Sequence, residues 1–205
     1  MATPSKAALR EQLLAARSCV ADAVRATEAR MLGEHLGALV EGRVSSGSTI
    51  CAYVPVKTEP GSIEMLDLLV RRSARVLLPV ARTGAEEVPL PLLWGEYRPN
   101  AFTRGRWGLL EPPEPWLPSS ALAEAALVLV PALAVDRTGV RLGRGRGFYD
   151  RSLPDRDPRS WLIAMVRDEE LVDELPADPH DVPMTHALTP RQGVIALSRN
   201  SRSGE

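Results

Sequence analysis

Apolar side chains recur at Leu9, Leu13, Ala16, Val20, Val24 and Met31, close to one stripe at helical spacing. The pattern predicts helix over residues 5–42, uninterrupted by proline, with Gly33 and Gly37 marking the place for a break. Ser46-Gly47-Ser48 reads as a turn. The β-branched and aromatic run Thr49 to Val54 reads as a strand. Ser62 is placed to cap a helix from Ile63 to Arg72, with Met65, Leu66, Leu69 and Val70 inward. Arg75 to Val80 is the next strand, which completes a β-α-β unit.

Periodicity fades over 81–120, where prolines crowd from Pro89 to Pro118. One strand near 91–97 and a long irregular loop are expected there, then a helical turn at Ala121 to Ala126. Leu127 to Pro131 is a continuous apolar run, suited to a central strand buried on both faces. A glycine-rich loop leads from it into a helix beginning near Gly147. Trp161 to Arg167 is a further strand. A brief extended piece between Pro176 and Pro190, and Gly193 to Leu197, can close the sheet. The alternation predicts a three-layer α/β/α fold with a mostly parallel sheet, one domain over 1–197 and a flexible tail over 198–205.

The 205 residues carry 25 basic and 26 acidic side chains, so bulk charge does not select a polyanionic partner. Lys6 and Lys57 are the only lysines. No run reaches the ~18 apolar residues of a membrane span, and Ala125 to Val135 is the longest apolar stretch. The N-terminal MATPSKAALREQ lacks an apolar core, so no secretory signal is read and a cytoplasmic location is expected. Cys19 and Cys51 read as buried thiols; neither forms a CxxC pattern.

The densest chemical signal runs from Asp136 to Arg151, D-R-T-G-V-R-L-G-R-G-R-G-F-Y-D-R. Gly143, Gly145 and Gly147 let the backbone come close to a ligand and present N–H groups, while Arg144 and Arg146 add bidentate donors. The segment follows a strand, at the end of the sheet where ligands gather in open α/β folds. A phosphate cradle is the reading; a flexible basic turn or an RNA-binding Arg/Gly tract is the alternative. It is neither a Walker A loop nor the G-x-G-x-x-G fingerprint.

Asp150 closes this motif and could pair with Arg146 or Arg151, or hold Mg²⁺ against phosphates. Lys6 and Arg10 share a helix face, solvated or ligand-facing. Glu59, just past the first strand, could meet ligand N–H groups or be an ordinary loop acid. His35 reads as helix surface, and His180-Asp181 as a site-facing pair or a loop.

Together these segments resemble the 5-formyltetrahydrofolate cyclo-ligase family. The resemblance rests on K-x-x-x-R at Lys6 and Arg10, Y-V-P-V-K-T-E from Tyr53, V-L-L-P-V from Val76 and W-G-L-L-E-P from Trp107. It rests further on V-P-A-L-A-V-D from Val130, R-L-G-R-G-R-G-F-Y-D-R from Arg141, and L-P-A-D-P-H-D-V-P near the C-terminus. The resemblance implies an α/β/α enzyme that uses ATP and Mg²⁺ to convert 5-formyltetrahydrofolate, with or without a polyglutamate tail, into 5,10-methenyltetrahydrofolate. A monomer acting on a small molecule is expected, and neutral net charge without a broad basic stripe speaks against a nucleic-acid partner, as the lack of a long apolar run does against a membrane. The ATP site would take Lys6, Arg10 and the loop Arg141, Leu142, Gly143, Arg144, Gly145, Arg146, Gly147, Phe148 and Tyr149. Folate contacts would fall on Val54, Glu59, Trp107 and the loop from Arg144 to Phe148. Metal ligation would fall on Asp150 and Asp181, and Arg144, Arg146 and Tyr149 would act in catalysis.

Two positions depart from the family pattern. Phe148 stands where Tyr is usual, and V-P-M-T-H puts Thr185 where a second acid is common, leaving Asp181 as the tail acid. Two rivals share some of the features: a sugar-phosphate isomerase or acyl-transfer α/β enzyme, and an Arg/Gly-loop nucleic-acid-binding module.

Overall fold

The computed structural model describes residues 4–72 and 74–198. Helices α1 (Lys6–Ser18) and α2 (Asp22–Arg43) precede strand β1 (Thr49–Cys51), helix α3 (Ile63–Arg71) and strand β2 (Arg75–Val80). Strands β3 (Leu93–Glu96), β4 (Thr103–Arg104), β5 (Leu110–Glu111) and β6 (Trp116–Leu117) occupy the proline-rich stretch. Then come β7 (Ala125–Pro131), β8 (Ala134–Asp136), β9 (Arg141–Leu142) and the short helix α4 (Phe148–Ser152). The described residues end with β10 (Trp161–Met165), β11 (Leu171–Val172), β12 (His186–Thr189) and β13 (Gly193–Ala196). The tail expected from 198 onward lies, beyond Ser198, outside the described residues.

Eight strands form the main sheet in the order β13-β12-β10-β7-β1-β2-β3-β6. The five central strands are parallel, and antiparallel strands close both edges. The apolar run in β7 explains its central place. Leu127 and Leu129 face one core, with Leu32, Leu36 and Val40 of α2 and Met65, Leu66 and Leu69 of α3. Val128 and Val130 face the other, with Leu122, Leu153 and Trp94. Long helices cover the first face. Short helical turns at Ser119–Glu124 and Leu153–Asp155, together with α4, cover the second. A small sheet, β11-β8-β9, stands beyond the carboxyl ends of the main strands, and α1 packs Leu9 and Leu13 on its Ala134 and Leu142 and on Leu175 beside it.

Several expectations need correction. The long N-terminal helix breaks at Cys19–Ala21, where Ala21 is extended, not at Gly33 or Gly37. Arg17 ties α1 to Glu170 and Ala132, while Leu32, Leu36 and Val40 lie on the sheet face; one straight helix could not satisfy both. Gly33 and Gly37 instead let α2 approach Met65 and Leu68 of α3. Val24 is exposed, because the buried side of α2 begins at Leu32. Cys19 is exposed in the connection, and only Cys51 is buried. Ser62 occupies the N-cap position of α3, but its side chain makes no capping bond. His35 is half-buried, with Nε2 against the Pro190 carbonyl at 2.9 Å, so it docks α2 onto the end of the sheet.

Candidate active site

The parallel strands reverse their order of addition between β1 and β7, and a cleft of about 390 Å³ opens at their carboxyl ends. Tyr53 and Val54 enter it directly after β1, and Pro131, Ala132 and Leu133 after β7. The glycine loop and α4 form the opposite wall. The hairpin of β4 and β5 brings Trp107 over the mouth.

The loop is fixed at its start. Buried Asp136 accepts from the N–H groups of Thr138 and Val140 at 2.8 and 3.0 Å, and from Leu175 N–H at 3.0 Å. Leu142 anchors the next segment in the small apolar cluster under α1. Gly145 (φ 89°) and Gly147 (φ 74°) then take left-handed backbone, which favours glycine. Arg10 donates from Nε to the Gly143 carbonyl at 2.9 Å, and its guanidinium lies against Gly145, where a Cβ would come within 3.2 Å. Among the described residues the N–H groups of Arg144, Gly145 and Arg146 are donated to no protein acceptor.

The cleft draws distant residues together. Arg144 Nε donates to Glu59 Oε1 at 2.8 Å, and the other Glu59 oxygen accepts from Val56 N–H at 2.9 Å. The Arg146 guanidinium stacks 4.4 Å from the Trp107 ring, which also meets Phe148 at 5.8 Å. Arg141 donates to Asp150 at 2.6 Å and to the Pro131 carbonyl at 3.2 Å. Asp150 therefore pairs with Arg141, not with Arg146 or Arg151; Arg151 turns back to the Gly147 carbonyl. Burial pushes the Tyr149 phenol well up against the opposing pull of Arg141, and burial likewise raises Tyr53. Both stay protonated through the neutral range.

Lys6 and Asp181 lie beside the cleft rather than in its wall. The Lys6 ammonium donates to Asp178 at 2.6 Å and to Asp181 at 2.8 Å. Partial burial works against its charge, but the two carboxylates outweigh this and raise it. Asp178 is held low, chiefly by its bond from Lys6. Asp178, His180 and Asp181 bring ligand atoms within 4.8 Å of one another, a donor set that suits a cation. Thr185 takes no part there: its hydroxyl accepts from Leu162 N–H at 2.9 Å and donates to the Leu162 carbonyl.

A sequence model of the 5-formyltetrahydrofolate cyclo-ligase family matches residues 2–190. The chain belongs to this family. A 5-formyltetrahydrofolate cyclo-ligase from Mycolicibacterium smegmatis is 55% identical over 197 residues, covering 96% of this chain and all of that one. The protein of the same name from Escherichia coli K12 is 28% identical over 144 residues, 69% of this chain and 78% of its own. The solution structure of Aquifex aeolicus 5,10-methenyltetrahydrofolate synthetase superposes with a TM-score of 0.72 at 25% identity, covering 98% and 96% of the two chains. The Mycoplasma pneumoniae 5,10-methenyltetrahydrofolate synthetase shares the fold, with a TM-score of 0.68 at 20% identity over 88% and 96%.

For this cyclo-ligase family member, the cleft gathers Val54, Glu59, Trp107, Arg141, Gly143 to Tyr149 and Asp150. Lys6, Arg10, Leu142 and Asp181 lie outside its wall. Arg10 supports the loop from behind, and Leu142 points into apolar packing. Among the wall residues the sequence reading gave no site role are Tyr53, read as part of a strand and of a family motif, and Arg17. Arg17 is 1% exposed and lies seven residues after Arg10, on the same face of α1. That spacing was the one signal that could have found it.

Proposed function

We propose that this family member closes 5-formyltetrahydrofolate to 5,10-methenyltetrahydrofolate at the cleft, as a cytoplasmic monomer using ATP and Mg²⁺. The observation that carries the reading is a set of three polar atoms, Arg17 Nη1, Arg141 Nε and Tyr149 Oη. They are buried in the cleft wall without a hydrogen-bond partner. Leaving such a group unmade costs about 1–3 kcal/mol, so a wall with three of them fits a ligand rich in acceptor oxygens. The unused N–H groups of the glycine loop fit the same ligand.

ATP with Mg²⁺, when bound, supplies the phosphoryl group that makes the formyl oxygen a leaving group. The loop N–H groups, Arg144 and Arg146 would bind and neutralise its phosphate oxygens. Glu59 accepts from the pterin ring, and Trp107 with Phe148 shields the mouth from water. Asp150 and Asp181 would hold the cation. Asp150 is held by Arg141, whose guanidinium would also meet the phosphates. Ring closure would join N10 to the formyl carbon, the formyl oxygen leaving with phosphate and the N10 proton passing to solvent. The protein's work is orientation and charge stabilisation. An Arg/Gly tract reading nucleic acid fits less well, because Arg144 and Arg146 fold inward onto Glu59 and Trp107.

The test is the absorbance of the methenyl product on mixing protein, MgATP and 5-formyltetrahydrofolate, with each component omitted in turn. Product formed without ATP would sink the reading. Asp150→Asn should move the Mg²⁺ dependence to higher concentration; an unmoved curve removes Asp150 from the metal. Lys6→Ala with Arg10→Ala should raise the ATP requirement far more than the folate requirement.

A further inference from the structure

Arg17 is the one buried cation in the cleft wall that the proposed reaction has left without a task. Its guanidinium is anchored on one side. Nε and Nη2 donate to the two Glu170 oxygens at 2.6 and 2.7 Å, and Nη2 also reaches the Ala132 carbonyl at 2.7 Å. Ala132 itself lines the cleft. Three of the five guanidinium N–H groups are thereby used. The remaining two, on Nη1, have no acceptor.

A structural tie needs only the Glu170 fork. A side chain 1% exposed with a whole nitrogen left over is built for something that arrives later. Its position says what. Arg17, Lys57 and Glu59 form the partition between the cleft and a smaller cavity of about 210 Å³ behind it. The partition thus sets a fixed donor and a fixed acceptor in one wall. Glu59 keeps free lone pairs after its bonds from Arg144 and Val56, because a carboxylate offers about four acceptor sites.

A reduced pterin presents the complementary edge: two donors, the 2-amino group and N3–H, followed by the 4-oxo acceptor. We infer that Arg17 reads the 4-oxo group of the folate ring while Glu59 takes the adjoining 2-amino and N3–H donors, which makes Arg17 a specificity and positioning residue. The inference rests on the cleft being the folate site. The 4-oxo group is peri to N5, so a guanidinium fixed on it also orients the nitrogen that carries the formyl group. A 4-amino ring would set a donor against Nη1 and lose the N3–H offered to Glu59.

The experiment is equilibrium binding, without ATP, of 5-formyltetrahydrofolate and its 4-amino-4-deoxy counterpart to the full chain. Wild type should prefer the 4-oxo compound by at least tenfold; equal affinities would overturn the inference without any variant. Arg17→Lys keeps the charge beside Glu170 but has no second arm. Arg17→Met with Glu170→Gln removes both charges and leaves an acceptor for Arg167 N–H. In either variant the 4-oxo compound should bind roughly 10- to 100-fold more weakly, with the 4-amino compound changed less than about threefold. Equal losses for both compounds, or none for either, show a purely structural arginine. Glu59→Gln in the same assay separates the two readings. If it leaves folate affinity unchanged, the cleft is not the folate site; if it weakens binding while the Arg17 variants do not, only the role of Arg17 fails.

Discussion

The two ends of the parallel sheet each open into a cavity of comparable size, and only one is the candidate site. At the amino ends of β1, β7 and β10 a cavity of about 440 Å³ is lined by Arg43, Ser48, Glu124, Asp157, Arg159, Ser160 and Trp161, among others. There the charges are matched within the chain. Arg159 pairs with Asp157, Glu124 with Arg75, and Arg43 lies over Trp161, which stacks on His186 at 3.6 Å. Ser160 donates to the Ala125 carbonyl. No residue of that lining has left-handed backbone. At the carboxyl ends the cleft holds three unpartnered polar atoms, two left-handed glycines, and Lys57 and Trp107 at φ 56° and 57°. Volume does not separate the two ends; unmet hydrogen bonds and backbone strain do.

This contrast can be broken. The largest expected effect is Arg144→Ala, which removes the donor to Glu59 that, on the proposed reading, also meets the phosphates. Steady-state turnover should fall on the order of 100-fold, with a melting temperature close to wild type. A similar loss of turnover from Arg159→Ala would erase the distinction. Next, Trp161→Ala removes the ring held between Arg43 and His186 and should cost about 3 kcal/mol in urea unfolding, while the folate and ATP requirements of the remaining folded enzyme stay unchanged. Gly145→Ala comes third. The left-handed backbone and the Arg10 guanidinium 3.2 Å from the new Cβ should cost about 1–2 kcal/mol and weaken ATP binding. The smallest effect is on pH. Burial, with Arg43 nearby, lowers His186 below its ordinary 6.5, so the unfolded chain binds the proton more readily. Stability is therefore full above about pH 6.5 and declines as pH falls toward the folded value. His186→Phe should flatten the melting curve over that range, and a slope that persists would assign the titration elsewhere.

The sequence made the sheet legible where side chains alternate between two buried faces. Leu127 to Pro131 reads as a central strand because water is excluded on both sides, and that is where β7 lies. The glycine loop was legible because alternate glycines with arginines have few structural uses. Arg17 was not, since an arginine on an amphipathic helix looks solvated until Glu170 and the Ala132 carbonyl are known. The helix break at 19–21 carries no glycine or proline, and the two-residue strands β4 and β5 are too short for a period. The partner of Asp150 was misread because Arg141 sits on a strand that folds back across nine positions.

The bonds from α1 have a consequence in time. Lys6 meets Asp181 across 175 positions, and Arg17 meets Glu170 across 153. Contacts of such separation close late, after loop entropy has been spent on the sheet. Helix α1 is thus among the last elements to dock, and the Arg17 side of the cleft stays open until the segment carrying Glu170 and Asp181 has emerged. In refolding, a fluorophore placed on α1 should settle after Trp94, in the core of the sheet, is already shielded from water.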